Sequence, residues 1–141
     1  MTKEFAADAN VGGMDQQNRR DYRDLVLWQR AIEMAAEVHR TTLKLPRHEM
    51  FGMAAQLRRA AVSVPSNIAE GSGRRTTREF IAFLHIARGS LSELKTQLFL
   101  AQRVGYLDDA DVTTTDSLSD EVGRLLNAVI RGLRRRQMAT L

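Results

Sequence analysis

Two side chains near the middle of the chain, Arg78 and His85, are of types that could act together on a phosphate group. Seven residues are close to two turns of an α-helix, so the two side chains would lie on the same helix face. There the imidazole could serve as a general acid or base while the guanidinium stabilises phosphate charge. The alternative is coincidence, because any Arg-rich helical protein contains such pairs by chance.

Arginine supplies nearly all of the positive charge. The net charge is +4, and lysine occurs only at Lys3, Lys44 and Lys95. A guanidinium offers a planar fork that matches phosphate, so this composition suits contact with a nucleic-acid backbone. The alternative is a basic surface that reflects codon bias, salt bridging and solubility. The candidates for phosphate contact are Arg58, Arg74, Arg75, Arg78, Arg131, Arg134, Arg135 and Arg136.

A second group of polar side chains recurs at spacings of three and four in the predicted second and third helices. Ser63, Asn67 and Glu70 of the second helix could face Ser90, Glu93 and Gln97 of the third. Arg59, Arg74 or Arg88 are the candidate counter-charges for Glu70 and Glu93. A polar seam inside a bundle must be hydrogen-bonded throughout. We expect it to fix helix register or a subunit contact rather than bind a ligand. Its predicted members are Gln56, Arg59, Ser63, Asn67, Glu70, Ser90 and Glu93.

Several chemistries are excluded by missing residues. The chain has no cysteine, which removes a disulfide framework, a thiolate zinc site and a cysteine nucleophile. No histidine follows a glutamate by three residues, as a di-iron bundle requires, and there is no phosphate-cradling glycine loop or nucleophile elbow. We therefore predict a non-enzymatic protein without cofactor or metal. The chain has neither a secretory signal nor an apolar run of membrane-spanning length, so we expect it in the cytoplasm, away from membranes.

The apolar pattern predicts two helices in the first half of the chain. Residues 1–20 are polar and aperiodic, so we predict a flexible tail there. A first helix starts after an N-cap at Asp21 or Asp24 and ends before Pro46. The second covers about His48 to Glu70, kinks at Pro65, and stops at left-handed glycines, Gly71 and Gly73. The apolar stripe predicted for the first helix is Leu25, Trp28, Ile32, Ala35, Val38 and Thr42.

Two longer helices are predicted in the second half. The third runs from a cap at Thr76 or Thr77 to about Val104 and ends at Gly105; the fourth begins among Asp108, Asp109 and Asp111. The stretch FIAFLHIA in helix three is apolar nearly all round, which indicates either a subunit interface or a broad core face. The seam predicted for the fourth helix is Leu118, Val122, Leu125 or Leu126, Val129 and Leu133.

Together these elements predict an all-α protein, an up-down-up-down antiparallel four-helix bundle over residues 21–136. A C-terminal tail follows at residues 137–141. The basic cluster at the end of helix four would also complement the helix dipole, which is a purely structural explanation for it.

The segment QLRRAAVSVPSNIAEGSGRRTTREF and the later ARGSLSELKTQL are the most specific stretches. With them, the chain resembles the four-helix-bundle family first named from reading frames within intervening sequences of 23S rRNA genes, sometimes called the S23 ribosomal protein family. The resemblance covers about Asp24 to Arg135. The residues behind it are Leu25, Trp28, Ala31, Gln56, Arg59, Ala60, Ser63, Pro65, Asn67, Ile68, Ala69, Glu70, Gly71, Arg74, Phe83, Leu84, Ala87, Gly89, Ser90, Glu93 and Leu94.

The accessory protein of diversity-generating retroelements looks like a relative of the same fold. That resemblance implies a homopentameric barrel of bundles with a basic surface or pore that can hold nucleic acid. Three functions stay open: a homo-oligomer that binds RNA or DNA, a scaffold for a protein partner, and a ribonuclease. The last follows from a loose resemblance of Arg78 and His85 to the Arg-then-His motif of HEPN ribonucleases, from which Glu79 departs.

Overall fold

The computed structural model describes residues 21–139, and four long helices make up most of that range. They are α1 (Val26–Thr42), α2 (Met53–Ser72), α3 (Thr77–Arg103) and α4 (Asp109–Ala139). Short 3₁₀ turns at Tyr22–Asp24 and Arg47–Glu49 precede α1 and α2, and no strand occurs within residues 21–139. Each helix packs against two others, so the four close into a ring around one core.

This arrangement confirms the predicted all-α class and is consistent with the predicted four-helix bundle. The up-down-up-down order and the kink at Pro65, which lies buried inside α2, stay predictions. So does the division into a bundle and two tails: residues 1–20 lie outside the described part. Helix α4 runs to Ala139, beyond the boundary that the sequence places at Arg136.

Local hydrogen bonds set the ends of α3 and the start of α4 where the sequence predicts them. Thr76 accepts a hydrogen bond from the Glu79 amide while the Glu79 carboxylate accepts one from the Thr76 amide, which is a capping box. Gly105 has a φ of 86° and ends α3. The carboxylates of Asp108 and Asp111 each accept from the other residue's amide, which holds the first turn of α4.

The starts of α1 and α2 differ from the prediction. Leu25, rather than Asp21 or Asp24, occupies the N-cap of α1, because the Asp21 carboxylate instead accepts from the Arg23 amide and caps the preceding turn. Helix α2 begins at Met53 rather than His48, since the Arg47–Glu49 turn intervenes. The Glu49 carboxylate reaches forward and accepts from the Met53 amide at 3.1 Å.

The predicted left-handed stop at Gly71 and Gly73 is wrong. Helix α2 continues through Gly71, and Gly73 at its end has a φ of −85°. Gly71 serves a different purpose: a Cβ there would lie 2.6 Å from Cβ of Phe83 and 3.0 Å from Cδ1 of Phe80. Because Gly71 has no side chain, α2 and α3 can approach each other closely at this position.

The stripe predicted for α1 is buried in part. Leu25, Val38 and Thr42 are buried as predicted, whereas Ile32 is 40% exposed. Leu27, Ala31 and Met34, which the stripe did not include, lie in the core. Trp28 is only half-buried and meets Tyr22 edge to face, with ring centroids 5.2 Å apart. Apolar residues occupy a wide arc of this helix, so the spacing alone allowed either register.

One stripe of α3 is buried: Phe80, Leu84, Ala87, Leu91, Leu94, Leu98 and Ala101. Much of the FIAFLHIA stretch therefore enters the core of the single chain. Phe80, Ile81 and Leu84 are buried, and only Ile86 among its large side chains is more than half exposed, at 52%. The stretch therefore supports the broad core face more than the subunit interface. On α4 the predicted Val122, Leu126, Val129 and Leu133 are buried, while Leu118 and Leu125 pack at its edge.

We expect Gly71→Ala to destabilise the protein by about 1–3 kcal/mol, because the added methyl group overpacks the contact with Phe80 and Phe83. The matched control is Gly89→Ala in α3, where an added methyl group would meet no atom within 4 Å and the free energy of unfolding should rise by about 0.5–1 kcal/mol. Urea unfolding followed by circular dichroism measures both. Equal effects of the two substitutions would contradict the close approach.

Candidate nucleic-acid interface

The second half of α4 is basic and contains no carboxylate. From Val122 to Ala139 there is no Asp or Glu, and the arginines there are Arg124, Arg131, Arg134, Arg135 and Arg136. The acidic residues of α4 all precede this segment, and several pair with residues outside α4: Asp111 with Lys44, Asp120 with Lys95 and Glu121 with Arg30. None of the five arginines forms an ion pair with a carboxylate of residues 21–139.

The eight arginines proposed from the sequence fall into two groups. Five have exposed side chains without an ion pair in the described part of the chain: Arg75, Arg78, Arg131, Arg134 and Arg135. The other three are engaged or half-buried. Arg58 donates to the Thr42 hydroxyl at 2.8 Å, and Arg74 pairs with Glu70 at 2.7 Å.

Arg74 also lies over the Phe83 ring, 4.8 Å from its centroid. Arg136, the third of this group, has one terminal nitrogen that is buried without a partner in the described structure. These three are therefore less suited to phosphate contact than the five exposed ones.

His85 joins α3 to α4 through two arginines. Nη2 of Arg88 lies 2.8 Å from Nδ1 of His85, and Nη2 of Arg134 lies 2.8 Å from Nε2 on the other side of the ring. Arg88 also donates from Nη1 to the Asn127 amide oxygen at 3.2 Å. Partial burial, and then the charges of Arg88 and Arg134, lower the pKa of His85 below its ordinary value of 6.5.

Arg88 belongs to the basic surface, although the sequence suggests it only as a counter-charge for Glu70 or Glu93. Its spacing of three from His85 places both on one face of α3, but its neighbours on α4 depend on packing. Within residues 21–139, the polar contacts of His85 are to Arg88 and Arg134, and none is to Arg78. The pairing of Arg78 with His85 that a ribonuclease would use is therefore not formed.

The predicted polar network is partly brought together between α2 and α3. The hydroxyls of Ser63 and Ser90 lie 2.8 Å apart, and the Asn67 amide donates to the Ser63 hydroxyl at 3.0 Å. Ser63 and Ser90 also line an open cavity of about 400 Å³, together with the polar side chains of Gln56, Arg59 and Glu93. Glu70 stands apart, because its carboxylate pairs with Arg74 on the same helix.

These hydrogen bonds agree with a structural role for Ser63, Asn67 and Ser90. Among the described residues, no group of three His, Cys, Asp or Glu side chains could hold a metal ion. No described helix is both long enough and apolar enough to cross a membrane.

Comparisons with known proteins give a family and a structural neighbour. The family model described as 23S rRNA-intervening sequence protein matches residues 23–128. A crystal structure from Bacteroides thetaiotaomicron VPI-5482, titled as a protein with unknown function from the S23 ribosomal protein family, is 25% identical, with a TM-score of 0.69. The match covers 74% of this chain and 98% of that one.

The search of curated proteins gave no match. The family resemblance expected from the sequence is confirmed, whereas the relation to the accessory protein of diversity-generating retroelements stays a prediction.

The lowered pKa of His85 predicts a pH-dependent stability. The unfolded chain binds a proton at an ordinary pKa and the folded chain at a lower one, so the stability present above pH 6.5 falls as pH drops below that value. Urea titrations across this window should show stability rising with pH. His85→Gln, which cannot titrate, should flatten the rise, and His39→Gln should leave it. If the rise of stability with pH is the same in His85→Gln, the folded protein does not hold the His85 ring neutral.

Proposed function

We propose that this chain, which belongs to the 23S rRNA-intervening sequence protein family, is a non-enzymatic nucleic-acid-binding protein. Its structural neighbour from the S23 ribosomal protein family is a protein with unknown function. The chain acts as a homo-oligomer, with five copies as the resemblance implies, in the cytoplasm. It binds the phosphate backbone of RNA or DNA without reading base sequence.

The observation behind this proposal is the group of exposed arginines without carboxylate partners. A carboxylate beside an arginine offsets part of its positive charge, whereas an unpaired guanidinium presents its full charge to a phosphate. Arg75, Arg78, Arg131, Arg134 and Arg135 have no such partner among the described residues, so each is available to a backbone phosphate. We define these five as the open arginines.

Base-specific stacking is not favoured by the same surface. Tyr22 and Trp28 pack against each other, and the exposed Phe99 lies on α3 about 16 Å along the helix axis from Arg88. The Phe83 ring is covered by Arg74. Affinity would therefore come mainly from charge and from the release of counterions.

Exposed apolar side chains support the oligomer. Ile86 and Leu100 of α3 are 52% and 48% exposed, and their spacing places them on one face of the helix. Val104, the residue that follows the helix, is 51% exposed. We define these three as the α3 outer face. Contact with another copy would remove them from water.

The same α3 outer face is the observation that favours the second candidate, a scaffold that binds a protein partner without nucleic acid. A partner captured equally before and after nuclease treatment, together with no affinity for RNA at low salt, would favour that function. The ribonuclease hypothesis has no comparable support, because His85 contacts Arg88 and Arg134 instead of Arg78.

Neutralising four open arginines, Arg75, Arg78, Arg131 and Arg135, to Gln should weaken RNA binding and its salt dependence. Each lost phosphate contact should reduce the slope of log affinity against log salt by about 0.7 for single strands. Fluorescence anisotropy with a labelled single-stranded RNA measures this.

The matched control neutralises Arg23, Arg30, Arg40 and Lys44 to Gln; all four are ion-paired. It removes the same charge and should preserve most of the slope. Equal losses in both variants would show a general charge effect, and no binding by the unmodified protein at low salt would overturn the proposal.

Sedimentation should show the unmodified protein as a homo-oligomer, with five copies expected. Ile86→Asp combined with Leu100→Asp should lower the oligomer mass toward that of one chain, because two carboxylates would be buried in the contact. Leu43→Asp, at a side chain 64% exposed before α2, is the control and should keep the mass. A monomeric unmodified protein at micromolar concentration would rule the oligomer out.

A further inference from the structure

Two guanidinium groups contact the His85 ring, and the ring cannot accept a hydrogen bond from both at once. A neutral imidazole has one N–H and one acceptor nitrogen, and a guanidinium only donates. Nδ1 and Nε2 each have an arginine nitrogen at 2.8 Å, so only one of these contacts can be a hydrogen bond at a time. The other places a donor against a donor.

Protonation of the ring does not resolve this conflict. An imidazolium donates from both nitrogens and would then stand between two guanidinium groups with three positive charges together. The charges acting on the ring are Arg88 from α3 and Arg134 from α4, and the described parts of α1 and α2 add none. No carboxylate of residues 21–139 pairs with either arginine. The cluster therefore lacks a negatively charged hydrogen-bond acceptor.

A phosphate oxygen supplies that acceptor. Resting on the proposed function, we propose that His85, Arg88 and Arg134 form a binding site for one backbone phosphodiester of RNA or DNA, and that His85 takes up a proton from solvent as the phosphate binds. Both guanidinium groups and the imidazolium then donate to the phosphate oxygens instead of facing one another.

Asn127 gives this site a fixed geometry. Its amide oxygen accepts from Nη1 of Arg88 at 3.2 Å, which leaves Nη2 of the same guanidinium directed to the ring. The site thus has one arginine held from each of two helices, with the histidine between them. It differs from the other four open arginines, because the phosphate would meet three donors already gathered in one place.

The coupling to a proton has a defined direction. In the free protein the pKa of His85 lies below 6.5, and a bound phosphate would raise it, since an anion favours the charged ring. Affinity should therefore increase as pH falls through the raised value, by up to about tenfold for each unit by which the two pKa values differ.

The test is an NMR titration of the His85 ring, with and without a saturating short oligouridylate. We expect the pKa of His85 to be higher with the oligonucleotide, and affinity to be about tenfold stronger near pH 6 than near pH 8. His85→Gln should remove most of that pH dependence while circular dichroism stays helical. His39→Gln and His48→Gln are the controls and should retain it.

Arg88→Gln and Arg134→Gln should each reduce the upward shift of the His85 pKa on binding, which a merely structural contact would not do. If the oligonucleotide binds but the free and bound pKa values agree, the phosphate site is wrong and the proposed function stands. If the unmodified protein binds no oligonucleotide at low salt, both are wrong.

Discussion

The packing of α3 against α4 decides which cations lie next to one another, and the rest of the functional surface depends on it. Leu84, Leu91 and Leu94 of α3 are buried in the core. A methyl group on Gly123 of α4 would lie 3.4 Å from Cδ2 of Leu91, which shows how closely the two helices approach there. This apolar contact sets the register in which Arg134 meets His85.

Charge along α4 follows from the same register. Three of its carboxylates, Asp111, Asp120 and Glu121, pair with Lys44 in the loop after α1, with Lys95 of α3 and with Arg30 of α1. Beyond Glu121 the only charged side chains of α4 are arginines. On α3, His85 and Arg88 lie opposite this segment. Basic residues in the last turn also complement the helix dipole, but that effect is confined to one turn and does not account for Arg124, Arg131 or the His85 cluster. A surface that binds phosphate-sized anions accounts for them better.

Features set by short-range hydrogen bonds were predictable from the sequence, and features set by packing were not. The cap at Thr76, the glycine that ends α3 at Gly105 and the acidic start of α4 all depend on partners within a few residues. The buried face of α1 depends on its neighbours, and the wide apolar arc gave no unique register. Gly71 looked like a helix stop, whereas its reason lies on another helix, at Phe80 and Phe83. The same holds for the site: sequence spacing placed Arg78 with His85, but the register of α4 brought Arg134 there instead.

The central claim is that the basic face formed by the second half of α4 and the first half of α3 contacts nucleic acid. Photo-crosslinking of a single-stranded RNA containing 4-thiouridine, followed by mass spectrometry of the crosslinked peptides, tests it most directly. We predict crosslinks concentrated within residues 75–90 and 124–139. Crosslinks confined to α1 and the acidic first half of α4, or an absence of crosslinks at low salt, would contradict the account.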